Sequence, residues 1–112
     1  MKYIIAIIQP DRVQDVLAKL EEKEIHLVTV SQVLGRGRQK GIALQWRAGD
    51  YRVEFLQKIK LEMVVDDKDA EAIIDLICEF AQTGEAGDGK IFVYPVEDVV
   101  RVRTKERGCG AV

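Results

Sequence analysis

The chain has 112 residues, 47% of them hydrophobic and 32% charged, with 17 Lys and Arg against 19 Asp and Glu for a net charge of -2. That length and balance describe a single folded domain, residues 1–112, and exclude a disordered tail, a collagenous chain and a globally basic nucleic-acid binder. One histidine (His26), one serine (Ser31) and two separated cysteines (Cys78 and Cys109) are too few for a zinc site, a serine hydrolase or a disulfide framework.

In chain order, Tyr3 to Ile8 is a short β-branched apolar run ended by Gln9-Pro10, and it reads as a buried strand. It is too short for a signal peptide or a membrane span, so a cytoplasmic location is expected. From Asp11 onward Val13, Val16, Leu17 and Leu20 recur at helical spacing, with Asp15, Lys19 and Glu22 on the opposite face. Leu27 to Leu34 returns to strand character before Gly35. The connection from Arg36 to Leu56 reads as a long exposed loop, and a helix-free loop of that length in a compact domain points to a partner site.

The order then repeats. Ile59 to Val65 is a strand, and Asp66, Asp67 and Asp69 suit a helix start whose buried stripe is Ala70, Ile73, Ile74, Ile77 and Ala81. That stripe side is also expected to hold Cys78 in the core. After the glycine-rich stretch Thr83 to Gly89, Ile91 to Tyr94 is a strand closed by Pro95, and Val99 to Val102 predicts a short edge strand. Two β-α-β halves argue for an α+β, ferredoxin-like fold, one antiparallel sheet with both helices on one face. Strands as apolar as Ile4 to Ile8 and Ile91 to Val93 leave the other face to be covered, most simply by further copies of the chain.

Three segments carry candidate chemistry. In Gly35-Arg36-Gly37-Arg38-Gln39-Lys40-Gly41 the glycines let backbone N–H groups approach an anion that Arg38 and Lys40 would neutralise, and a flexible basic turn explains it equally. Neither the Rossmann nor the Walker pattern is met. In Thr83-Gly84-Glu85-Ala86-Gly87-Asp88-Gly89-Lys90 a helix stop needs only Gly84, so Gly87 and Gly89 around Asp88, leading to Lys90, are surplus to it and point to a ligand loop. In Arg101-Val102-Arg103 an extended backbone would place both guanidiniums on one side, suited to phosphate, and a solvated edge strand explains them almost as well.

Taken together, GRGRQKG, TGEAGDGKIFV and VRVRT resemble motifs of the PII nitrogen-regulatory family, over essentially the whole chain. The resemblance implies a homotrimer of ferredoxin-like subunits with a nucleotide in each inter-subunit cleft, and a signalling role rather than an enzymatic one. Segment 36–56 would be the partner-binding T-loop, 82–90 the phosphate-binding B-loop and 99–112 a C-terminal strand and tail. By position, Gly35, Gly37, Arg38, Gly87, Asp88, Gly89 and Lys90 would hold the phosphates and ribose of ATP or ADP. Arg101 and Arg103 would reach them from the neighbouring subunit, and Thr29, Glu62 and Val64 would contact the adenine. Gln39, Lys58 and Gly87 would serve 2-oxoglutarate, with Mg2+ held by the ATP phosphates and Gln39. A cation is the natural partner of a dicarboxylate's far end.

At the loop tip, Arg47, Asp50 and Tyr51 match positions used for partner insertion and, at Tyr51, for nucleotidylylation in some lineages. The resemblance thus implies targets such as an ammonium channel, through which alone a membrane would be involved, or regulators of glutamine synthetase. Trp46-Arg47-Ala48-Gly49-Asp50-Tyr51 departs from the usual signature of that tip, and Arg36 stands where an aromatic residue is commonest. Three other readings stand beside this one: a PII-like regulator of another process such as carbon uptake, a small ATP-hydrolysing or phosphotransfer enzyme with Asp88 as its base, and a metal-tolerance protein of the same architecture, which one histidine and two cysteines disfavour.

Overall fold

The computed structural model describes residues 1–40 and 51–112, with the side chains of 37–40 and 51–54 outside that description. Its elements run β1 (Lys2–Ile8), a 3-10 turn (Pro10–Arg12), α1 (Val13–Glu22), β2 (Thr29–Lys40), β3 (Tyr51–Val65), α2 (Asp67–Ala81), β4 (Gly89–Pro95) and a closing 3-10 turn (Cys109–Ala111). The sheet order is β2-β3-β1-β4, and every neighbouring pair is antiparallel. With a helix in each β-α-β half, this is the ferredoxin-like arrangement expected from the repeat.

Alternation along the strands decides which face is buried. Ile4, Ala6 and Ile8 of β1 and Leu61, Met63 and Val65 of β3 point to one side, where Val16 and Leu20 of α1 and Ile73 and Ile77 of α2 close over them. The helix starts follow from local chemistry. Pro10, fixed near helical φ, begins the turn that leads into α1. Asp66 caps α2 by accepting from the Lys68 N–H at 3.4 Å, with Asp67 and Asp69 in the first turn to complement the dipole. α1 ends where Glu24 takes the left-handed conformation, φ 62°.

The opposite face of the sheet carries no helix among the described residues. The register aligns Tyr3 with Val64 and Tyr94, Ile5 with Glu62 and Phe92, and Ile7 with Lys60 and Lys90 across the three strands on that face. Phe92 is 42% and Tyr94 52% exposed. The tilted Tyr3 and Tyr94 rings lie with centroids 6.4 Å apart.

The long connection expected between β2 and β3 is present with narrower bounds: its flanks, residues 36–40 and 51–56, extend the two strands, paired from Arg36 with Phe55 to Lys40 with Tyr51, because cross-strand hydrogen bonds supply order that the polar composition did not signal. Three expectations are corrected. The strand after α1 begins at Thr29, leaving Leu27 exposed outside it. Val99 to Val102 forms no edge strand. Its backbone turns back on itself, with Arg101 N–H donating to Glu106 C=O at 2.9 Å, Gly108 N–H to Val99 C=O at 3.0 Å, and one bridge between Val100 and Arg107. Cys78 is exposed, at the rim of the groove between α2 and β4, while Leu76 joins the buried stripe instead. Arg47 and Asp50 lie outside the described residues, as does the side chain of Tyr51.

Candidate functional site

The loop joining α2 to β4 is organised by one carboxylate. Asp88 Oδ2 accepts from the backbone N–H groups of Thr83 at 2.8 Å and Gly84 at 3.0 Å, and Oδ1 accepts from the Thr83 hydroxyl at 2.5 Å and from Gln9 Nε2 at 3.5 Å. These bonds, led by the Thr83 hydroxyl, hold the Asp88 carboxyl below its ordinary range. Both oxygens are therefore engaged in shaping the loop.

Two glycines permit that shape. Gly87 has φ 96° and Gly89 φ 111°, conformations that L side chains rarely adopt, and a Cβ on Gly89 would meet the Ile7 carbonyl oxygen at 1.9 Å. The backbone of Gly89 thus lies directly on β1. The Gly87 carbonyl accepts from Lys58 Nζ and from Gln9 Nε2, the latter at 3.2 Å. Gly35, which pairs with Leu56, lies over the Lys58 stem, since a Cβ there would stand 3.6 Å from Lys58 Cγ. Gly35, Lys58, Gly87, Asp88, Gly89 and Lys90 therefore converge at one end of the free face, with ammonium groups of Lys58, Lys60 and Lys90 on its strands. Exposed glycine backbone and ammonium groups together suit an oxyanion. Gly37, Arg38 and Gln39 continue β2 from Gly35, opposite Glu54, Val53 and Arg52, and their side chains lie outside the described residues.

Thr29, Glu62 and Val64 form a second cluster. Thr29 opens β2 directly across from Glu62, and β3 runs three residues past that last β2 partner, so Met63 to Val65 have no β2 ladder. Tyr3, Leu27, Thr29, Glu62, Val64 and Val99 help line a cavity of about 240 Å³ there, with Ala111 and Val112 of the tail as part of its wall. The Tyr3 hydroxyl donates to Glu62 Oε1 at 2.8 Å, and Lys60 Nζ stands 3.3 Å from the same oxygen. Those contacts hold the Glu62 carboxyl below its usual range, the Tyr3 hydrogen bond foremost, and the same bond raises the Tyr3 phenol above its own.

Arg101 and Arg103 are not aligned on an extended segment. The Arg101 guanidinium contacts Glu106 Oε1 at 3.4 Å and donates to the Gly110 carbonyl at 3.2 Å, and Arg103 is exposed in the turn. Gln9, Tyr3 and Lys60 were not among the residues singled out from sequence, and Thr83 entered only as the first residue of the glycine-rich segment. Only for Gln9 was a signal in view, since a polar residue closes an otherwise apolar strand just before Pro10.

The family model described as Nitrogen regulatory protein P-II matches residues 1–106. The chain is 48% identical over 112 residues to "Nitrogen regulatory protein P-II 2" of Methanothermobacter thermautotrophicus, covering 100% of this chain and 97% of that protein. It is 49% identical over 112 residues to "Nitrogen regulatory protein P-II" of Nostoc punctiforme, covering 100% of both. Among solved structures, Arabidopsis thaliana PII bound to citrate superposes with a TM-score of 0.78 at 43% identity, over 98% of this chain and 87% of that one. Full-length identity of this order, with a superposition at a TM-score of 0.78, leaves one conclusion: the chain belongs to the nitrogen regulatory protein P-II family.

Proposed function

We propose that this protein is a nitrogen-status signalling regulator, not an enzyme, that binds ATP or ADP and, with Mg2+ and 2-oxoglutarate, controls protein targets through residues 36–56. The observation that carries the reading is the convergence of Gly35, Lys58 and the Gly87-Asp88-Gly89 backbone at one end of a free sheet face. Thr29, Glu62 and Val64, which would read the base, stand at the other end of β3. A nucleotide that uses both sets is best served by a homotrimer, in which the phosphate end of one copy meets the base cavity of the next. The face formed by the partly buried Tyr3, Ile5 and Ile7 and the exposed Phe92 and Tyr94 supports such an assembly.

The donor set fits Mg2+ as an ion carried by phosphates. Among the described residues no three His, Cys, Asp or Glu groups gather to hold a metal, and the Asp88 carboxylate is already taken up by Thr83 and Gly84. Gln39 and the phosphates would complete its shell, and a keto acid could join it there. The same engagement of Asp88 argues against its use as a general base, which supports a binding role over ATP hydrolysis. Citrate, named in the Arabidopsis structure, is a carboxylate-rich anion like 2-oxoglutarate, and Lys58, whose ammonium reaches the Gly87 carbonyl, is the residue we assign to the keto acid. No helix among the described residues is long and apolar enough to cross a membrane. On this reading the protein is cytoplasmic and meets an ammonium channel or a glutamine synthetase regulator from that side.

Calorimetric titration with ATP and Mg2+, with and without 2-oxoglutarate, tests the reading. The expected result is 2-oxoglutarate binding only when Mg-ATP is present. Failure to bind at saturating Mg-ATP would shift the protein to regulation of another process, and rapid multiple turnover of ATP would make it an enzyme.

A further inference from the structure

We propose, on the basis of the adenine-nucleotide reading above, that Tyr3 is a positioning residue for base recognition, holding the Glu62 carboxylate so that its second oxygen accepts from the exocyclic amino group of the base. Tyr3 lies 59 positions from Glu62 in the chain and reaches it because β1 and β3 pair in register, Tyr3 opposite Val64 and Ile5 opposite Glu62. Its ring is braced by Tyr94 on the next strand. The hydroxyl and the Lys60 ammonium both approach Glu62 Oε1, at 2.8 and 3.3 Å, and among the described residues Oε2 accepts no hydrogen bond. The Glu62 side chain is 21% exposed and lines the cavity, so the carboxylate as a whole is partly withdrawn from water.

The chemistry of this oxygen decides what it reads. Glu62 stays ionised and is therefore an acceptor only. The aliphatic walls from Leu27, Val64 and Val99 suit the flat surface of a base, and the carboxylate at their edge suits a donor on that base. A 6-amino group satisfies it, whereas a 6-oxo group would set two acceptors against each other in a partly dry site. Without the tyrosine hydroxyl, Lys60 alone holds Glu62. The carboxylate is then free to swing about that one long, mobile side chain and loses its aim.

The test uses the full chain in its native assembly. Dissociation constants for ATP, inosine triphosphate and 2′-deoxy-ATP are measured for the wild type, Tyr3→Phe and Glu62→Gln. The wild type is expected to prefer ATP to inosine triphosphate by roughly tenfold or more. Tyr3→Phe should cut that preference about three- to tenfold, with the inosine nucleotide's affinity unchanged. Glu62→Gln, whose amide can donate to a 6-oxo group, should erase it, and would thereby report on the same contact even were the tyrosine variant poorly folded. Equal weakening of ATP and inosine triphosphate in Tyr3→Phe, or no change in either, would overturn the proposal and leave the tyrosine a packing residue. A change in the ratio of ATP to 2′-deoxy-ATP, with the base preference intact, would overturn it in favour of a ribose contact. Failure of the wild type to bind any of the three would sink the nucleotide reading itself, and with it the role of Tyr3.

Discussion

Lys58 donates to the carbonyl of Gly87, so a single ammonium ties the hairpin strand β3 to the glycine loop across 29 positions of sequence. Gln9 meets the same carbonyl from the end of β1, and the loop is thus held from two strands at once.

Removing the charge separates Lys58's structural and ligand roles. Lys58→Met keeps the stem beside Gly35 and leaves Gln9 on the Gly87 carbonyl, so stability should fall by only about 1 kcal/mol. Binding of 2-oxoglutarate in the presence of Mg-ATP should weaken at least tenfold, since a carboxylate would lose its charged partner. Thermal unfolding and calorimetry on the same preparation measure both.

Gly89→Ala should be far more damaging than Gly84→Ala. Both positions have positive φ, 111° and 88°, but the new methyl at 89 would overlap the Ile7 carbonyl whereas that at 84 meets nothing within 4 Å. Denaturant unfolding should show a loss of about 3 kcal/mol or more at 89, and about 1 kcal/mol at 84.

The Asp88 clamp should release in acid. Its folded-state value lies below the ordinary aspartate 3.8, so the stability it contributes is fully present above the unfolded value and is lost as pH falls through the lower folded one. Thr83→Val, which deletes the largest cause of the shift, should move the Asp88 titration back up toward the ordinary value. Carboxyl carbon NMR across the acid range follows it directly, and an unchanged midpoint in the variant would remove Thr83 from the account.

A charge on the free face should disperse the assembly without unfolding the chain. Ile5 lies opposite Glu62 and Phe92 on that face, away from the helix-covered core. Ile5→Asp should sediment as a single chain with its circular dichroism retained, and the unaltered protein, on the proposed assembly, should sediment as three.

The two β-α-β halves were legible because burial imposes a period. Val13, Val16 and Leu20 recur along one helical face, Ile4, Ala6 and Ile8 along one strand face, and all six are buried. The far ends of β2 and β3 were not. Arg36 to Lys40 offer no apolar alternation, and only pairing with Tyr51 to Phe55 makes them strand. Val99 to Val102 misled in the opposite sense, since apolar alternation there is outweighed by backbone bonds closing locally from Val99 to Gly108. In the site, surplus glycines announced the loop before β4. The roles of Asp88 and Tyr3 stayed hidden, because one depends on a turn that folds Thr83 back across five positions and the other on strand register.

From Lys58 to Glu62 the free face runs four residues along β3, about 13 Å at the rise of a strand, and separates the glycine-loop end, proposed for the phosphates, from the cavity beside Thr29 and Glu62, proposed for the base. In the ring proposed above, each pocket is a joint product of two copies, so nucleotide affinity becomes sensitive to dilution: once copies part, every pocket is halved. It also allows complementation. Chains crippled at Gly89 and chains crippled at Glu62, each inactive alone, would together rebuild an intact pocket wherever a sound glycine loop meets a sound base cavity.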